Sequence, residues 1–106
     1  VSVSRIDENK RIEILIEAPL LKRLAGALTK AGATGWTALP VLAGDGRSGE
    51  WSREGQVGAA GGLVAVTCVV APDRAEPVIE AAFGVVSRHI GLVTVVDCVV
   101  LRPGRF

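Results

Sequence analysis

The residues best equipped for chemistry cluster mid-chain, where residues 43–62 read A-G-D-G-R-S-G-E-W-S-R-E-G-Q-V-G-A-A-G-G. In the opening G-D-G-R-S, Gly44 and Gly46 let backbone N–H groups turn toward an anion. Arg47 adds a planar donor fork that fits phosphate or carboxylate. Trp51 is an indole at the loop centre, read here as docking on a partner rather than folding back. Gly58, Ala59, Ala60 and Gly61 offer either a hinge or a nest of amides for a small anion. So long a loop without regular structure in so short a chain is expected to bind a ligand. A solvated glycine-rich hairpin loop is the plainer alternative.

No other residues form a catalytic set. Ser48, Ser52 and Ser87 have no base partner in the pattern, and His89, beside Arg88 at a helix end, reads as a capping or solvated residue. Glu50, Arg53 and Glu54 read as a solvated charge cluster. Cys68 and Cys98 lie in apolar runs and are expected to be small buried hydrophobes in a reducing compartment. With one His and no Cys–His cluster there is no metal-site spacing. Arg102 and Arg105 flank a Pro-Gly turn and serve either as a charged tail or as a phosphate clamp beside Arg47. The expectation is a binding protein, not an enzyme.

These residues need a frame. A chain of 106 residues has room for one domain. Its apolar content is mostly branched aliphatic, which suits buried strands. With a net charge of +1, no basic tract points to nucleic acid and no acidic tail to a basic partner. No apolar run reaches the roughly 18 residues of a membrane span.

Residues 1–9 are polar and unpatterned and read as a flexible leader, leaving a single domain over residues 10–106. From Lys10, Ile12, Ile14 and Ile16 alternate with Arg11, Glu13 and Glu17, the pattern of a half-buried strand. Pro19 suits a first helical turn, Leu21, Leu24, Ala25 and Leu28 recur at helical spacing, and Gly32 is a stop. Residues 36–42 form a second strand, in which Pro40 demands an edge or a bulge. Residues 63–70 are apolar on both faces, as a covered central strand would be. Asp73 and Glu76 are spaced as N-cap and N3 of a second helix whose apolar face is Val78, Ile79, Ala82, Phe83 and Val86, with Pro77 disturbing its first turn. Residues 92–101 form the last strand.

The order predicts an α+β ferredoxin-like βαββαβ fold: an antiparallel sheet with both helices on one face. The opposite face is too apolar to remain in water, so other subunits are expected to cover it. Asp97, inside the last strand, must be paired or at an edge.

Four motifs, in order, resemble the nitrogen-regulatory PII signalling superfamily. G-A-T-G-W-T at residues 32–37 resembles the family's G-V-T-G-M-T, and G-D-G-R-S its G-F-G-R-Q at the base of the long T-loop. V-V-A-P-D at residues 69–73 resembles V-V-V-P-D, and V-L-R-P-G at residues 100–104 the terminal I-R-I-R-T-G. The resemblance spans residues 10–105 and implies a homotrimer that binds adenine nucleotide between subunits. It places Gly35 and Thr37 near the adenine and ribose, and Gly44, Gly46, Arg47 and Ser48 at the phosphates. Gly91 falls in the B-loop and Arg102 at the C-terminal clamp, with residues 43–62 as the T-loop.

Departures from the pattern narrow the expectation. Ser48 stands where the family has the Gln that helps hold Mg–ATP and 2-oxoglutarate, and A-A-G-G-L-V lacks the Lys that binds 2-oxoglutarate. After Ile90-Gly91 the strand begins at once, without the Asp-Gly-Lys that cradles outer phosphates, and Val100 replaces one terminal Arg. The chain contains no Tyr to be uridylylated. Fewer charge-assisted contacts to outer phosphates imply ADP or AMP over Mg–ATP. Among PII-like groups the short glycine-rich loop and G-W-T segment resemble the carboxysome-associated and SbtB-type proteins of inorganic-carbon uptake. That likeness implies bicarbonate as a second ligand near Gly58, Ala59, Ala60 and Gly61, a bicarbonate transporter as partner, and a bacterial cytoplasm as location. The alternatives are a nitrogen-type PII regulator and a CutA-like metal-tolerance trimer. An acyl-phosphate hydrolase is disfavoured because Ala18-Pro19 supplies no phosphate-binding Arg.

Overall fold

The fold is described over residues 6–46, 49–52 and 62–101 of a computed structural model. In chain order the elements are β1 (Ile6–Glu17), a single 3-10 turn (Ala18–Leu20), α1 (Leu21–Lys30), β2 (Thr37–Pro40), β3 (Ala43–Gly46), β4 (Gly49–Ser52), β5 (Leu63–Val70), α2 (Pro72–Val86) and β6 (Gly91–Leu101). Strands β2-β5-β1-β6 form one antiparallel sheet in that order, and β3 and β4 pair as a separate ribbon. Each helix connects strands that are not neighbours, with β5 lying between β1 and β2, and β1 between β5 and β6. This is the α+β ferredoxin-like arrangement expected from the element order.

Alternation in the sequence sets the core. Ile12, Ile14 and Ile16 of β1 and Val64, Val66, Cys68 and Val70 of β5 are buried on one face. Leu24 and Leu28 of α1, with Ala75, Val78, Ala82 and Val86 of α2, close over them. Burial pushes the Cys68 thiol above its ordinary value, so it stays protonated and packs as a small apolar group. Gly32 ends α1 at φ +110, with the Ala33 N–H donating to the Leu28 carbonyl (2.9 Å) and the Gly32 N–H to the Thr29 carbonyl (3.1 Å). Those two bonds satisfy carbonyls the helix would otherwise leave bare, and only glycine takes that backbone without strain.

Several expectations need correction. Strand β1 begins at Ile6, so residues 6–9 belong to the sheet and not to a leader; they pair with the far end of β6, and Asn9 is buried. Their polar run hid a strand that register, not hydrophobic alternation, specifies. Residues 1–5 lie outside the described residues. The N-cap of α2 is Ala71, with Asp73 inside the first turn and no side-chain capping bond. There its charge still favours the positive helix end. The Arg74 N–H donates to the Ala71 carbonyl (2.9 Å), a tightened first turn, and the helix continues through Pro77. Phe83, expected inward, is 61% exposed, because burial follows Ala75, Val78, Ala82 and Val86 and leaves Phe83 beyond the stripe's rim. Residues 43–62 are not wholly structureless, since they contain β3 and β4.

Pro40 sits at the end of β2, a four-residue edge strand, where its missing N–H costs no ladder bond. The second edge is β6. Register carries three rows across the face opposite the helices: Leu39–Ala65–Leu15–Leu92, Thr37–Thr67–Glu13–Thr94 and Val69–Arg11–Val96. No described element covers this face, and Leu39, Leu92 and Val96 are at least half exposed there. Arg11 donates to Glu13 at 3.3 Å on the same face. Asp97 is answered twice: it lies on an edge strand and pairs with Lys10, its cross-strand neighbour.

Candidate functional site

The residues expected at a ligand lie on two opposite edges of the sheet. On the β2 side, Gly35 lies in the segment leading from α1 and Thr37 opens β2; both are exposed. Beyond Pro40, the Val41 N–H bonds the Leu63 carbonyl (3.1 Å), which anchors the strand's exit to the start of β5. The Ala18 N–H donates to the Gly62 carbonyl (2.8 Å), pinning the other end of residues 43–62 against the first helical turn. Between these anchors Gly44 pairs with Trp51 and Gly46 with Gly49 in the β3–β4 ribbon. Arg47 and Ser48 fall between the two strands and, with the Trp51 side chain, lie outside the described residues.

On the β6 side, Gly91 begins the strand opposite Ile16, whose other neighbour Val64 pairs with Pro40. Gly91 and the exit of β2 therefore share one end of the sheet but stand three strand spacings apart, about 14 Å. Arg102, outside the described residues, follows Leu101, which pairs with Ile6 at the other end. Ten steps along an extended strand separate Gly91 from Leu101, about 33 Å. One protomer cannot fold these groups around one small ligand. Gly91 and the far end of β6 lie too far apart to reach one ligand from a single protomer, so a ligand touching both would be shared between two.

The arrangement suits binding more than reaction. His89 is exposed and its backbone N–H donates to the Val86 carbonyl (2.9 Å), closing the turn after α2. Among the described residues no three His, Cys, Asp or Glu side chains could hold a metal ion. The described part of the site offers glycine backbone and one threonine hydroxyl, groups that can hydrogen-bond an anion or a ligand hydroxyl. Gly58, Ala59, Ala60 and Gly61, the small-anion candidates, lie outside the described residues, as does Arg105.

Residues 9–105 match the family model described as nitrogen regulatory protein P-II. The chain belongs to that family. The P-II match takes in every site residue named above, from both sheet edges. No curated protein matches the sequence. Among solved structures this P-II chain is similar to CPII of Thiomonas intermedia K12, a nitrogen regulatory PII-like protein bound to ADP, AMP and bicarbonate. The two are 24% identical over 93% of each chain, with a TM-score of 0.82. CPII bound to ADP and bicarbonate is 25% identical over 93% of this chain and 94% of that one, with a TM-score of 0.77. The B. subtilis GlnK–ATP complex is 21% identical, covering 86% and 82%, at a TM-score of 0.61.

Two features escaped the sequence reading. The β3–β4 ribbon left one trace, glycines at 46 and 49 bracketing two residues, which falls short of a standard hairpin signal. The close approach of Gly91 to β1 left none. A Cβ there would stand 2.2 Å from the Leu15 carbonyl oxygen.

Proposed function

We propose that this P-II chain is a signalling protein, not an enzyme, that binds ADP or AMP in clefts between the protomers of a homotrimer. One observation carries the reading: Gly91 shares one end of the sheet with the exit of β2 toward Gly44 and Gly46, while the strand leading to Arg102 ends about 33 Å away. A nucleotide contacted by all of them must bridge two copies. The rows Leu39–Ala65–Leu15–Leu92 and Val69–Arg11–Val96 supply the apolar surface that would hold the copies together. In this reading Gly44, Gly46, Arg47 and Ser48 hold the phosphates, and Gly35 and Thr37 the nucleoside. The weaker outer-phosphate grip favours ADP or AMP over ATP.

The second ligand in this reading is bicarbonate, near Gly58, Ala59, Ala60 and Gly61. Two observations support it: the missing 2-oxoglutarate residues, and the likeness to CPII, whose structures hold bicarbonate beside ADP. Nucleotide and bicarbonate together select one T-loop conformation and present Trp51 to a bicarbonate transporter or other membrane-protein partner. The protein so regulates inorganic-carbon uptake or carboxysome-linked metabolism in a bacterial cytoplasm. A coupling of about 1–3 kcal/mol between the two ligands suffices to switch a transient complex.

Calorimetric titration with ADP, AMP and ATP, each with and without bicarbonate and with 2-oxoglutarate, tests this. The expected result is ADP or AMP binding that tightens with bicarbonate and ignores 2-oxoglutarate. Tightening by 2-oxoglutarate would move the protein to nitrogen-type regulation. No adenine-nucleotide binding would remove the site assignment.

A further inference from the structure

The two helices carry opposite charge side by side. In α1, Lys22, Arg23 and Lys30 are exposed and no acid accompanies them. In α2, Asp73, Glu76 and Glu80 are exposed, and the helix's one cation, Arg74, lies about 100° around the axis from Asp73. None of these side chains has an ion-pair partner among the described residues, although α1 and α2 pack against each other. Gly26, one turn from both Lys22 and Lys30, leaves the basic row low in its middle, since a Cβ there would meet nothing within 4 Å. Phe83 is exposed at the edge of the acidic row, three residues on from Glu80.

Strand register orients the two rows. β1 ends at Glu17, opposite the start of β5 at Leu63, and β5 ends at Val70, opposite Lys10. The helices that follow these strands therefore start from opposite ends of the sheet and run antiparallel. Lys30 and Asp73 lie toward one end of the layer, with Lys22 and Glu80 further toward the other. Lys22 and Lys30 stand about 12 Å apart along their helix, and Asp73 and Glu80 about 10 Å apart along theirs. A two-fold axis parallel to both helices lays α1 of each copy along α2 of the other, cation to acid at each end. An anionic membrane would be drawn to the basic row and repelled by the acidic row about 10 Å away. A second copy of this chain satisfies both rows.

We propose that the helix layer is a self-complementary docking surface, through which a second copy of this chain binds by pairing α1 with α2. Two helices of these lengths present about 400 Å² per copy, about 800 Å² in all, the size of a weak and transient contact. The surface faces away from the rows Leu39–Ala65–Leu15–Leu92 and Val69–Arg11–Val96, so it adds to any assembly built there. It needs no nucleotide and stands or falls separately from the nucleotide reading.

Sedimentation velocity of the full chain over a range of concentrations, at about 20 and about 300 mM salt, tests it. The mass at high salt reports assembly through the sheet, and further association at low salt reports the helix layer. That further association is expected to weaken about tenfold or more at the higher salt. Lys22→Glu with Lys30→Glu leaves both helices acidic, and Glu76→Lys with Glu80→Lys leaves both basic. Each double variant alone is expected to lose the low-salt association by about tenfold or more, while an equal mixture of the two regains it. The chain carrying all four changes should regain it as well. Urea unfolding of each variant is the control for an intact fold. Association that ignores salt, persists in either double variant alone or fails to return in the mixture would overturn the proposal. So would a wild type that does not associate further at low salt. Wild type that sediments with phosphatidylserine vesicles but not with itself would assign the α1 row to a lipid surface, and that result overturns it too.

Discussion

Gly91 answers two demands, one from the nucleotide reading and one from the sheet. A Cβ added there would lie 2.2 Å from the Leu15 carbonyl oxygen and 3.3 Å from its carbonyl carbon. Both are backbone atoms of a strand bonded on both sides, so neither can yield cheaply. Gly91→Ala must open the β1–β6 ladder beside Ile16, and a loss of about 2–3 kcal/mol in urea unfolding is expected. Gly35 is the counterpart on the other edge. Nothing lies within 4 Å of a Cβ built there. Gly35→Ala is therefore expected to hold stability to within about 0.5 kcal/mol, so that weakened ADP binding in this variant would report on the site itself. If Gly91→Ala unfolds with the wild type, β1 accommodates the methyl and the sheet does not require glycine at that position.

Among the elements, α2 carries an internal handicap. Pro77 lies five residues after the start of the helix at Pro72 and has no N–H to offer the Asp73 carbonyl. Pro77→Ala restores that bond and a better helix former, at the expense of the unfolded-state restriction proline provides. The net expectation is a gain of about 1–3 kcal/mol, seen as a rise in Tm. An unchanged or lower Tm would mean that the tightened first turn already accommodates the ring. Proline and periodicity explain which elements could be read from the residues alone. Helix α1, the Ile12–Ile14–Ile16 face and β5 were legible because burial on one side imposes a period on the chain. The start of β1 was not, since D-E-N-K pairs with β6 outside the helix-covered core and needs no apolar face. Nor was the ribbon, whose glycines carry no period. Phe83 was misplaced because a stripe following Ala75, Val78, Ala82 and Val86 leaves a neighbour one position along on its rim. The candidate site residues were named from their motifs. Their separation across the sheet could not be read there, because strand order is a property of long-range pairing.

For the whole molecule, that separation makes a quantitative claim about assembly. If each nucleotide is held by the β2 side of one protomer and the β6 side of the next, the two halves of a site come from different chains. Arg47→Ala removes the proposed phosphate contact on the first side, and Arg102→Ala the proposed clamp on the second. Each variant alone is expected to form trimers that bind ADP poorly. In trimers refolded from an equal mixture, some interfaces join an intact β2 side from the Arg102→Ala chain to an intact β6 side from the Arg47→Ala chain. Random assembly around a closed ring places that combination at about one quarter of the interfaces. Wild-type affinity should therefore return at about one quarter of the sites, measured by calorimetry on the mixed protein. A site contained within one protomer gives no recovery at any mixing ratio. Leu15→Lys provides the complementary test, since it puts a charge in the middle of the row that runs from Leu39 to Leu92. Light scattering should then report a monomer, and ADP binding should be lost along with the trimer although every proposed ligand-contacting residue is still present. A monomer that still bound ADP would show that the sheet edges do not need each other.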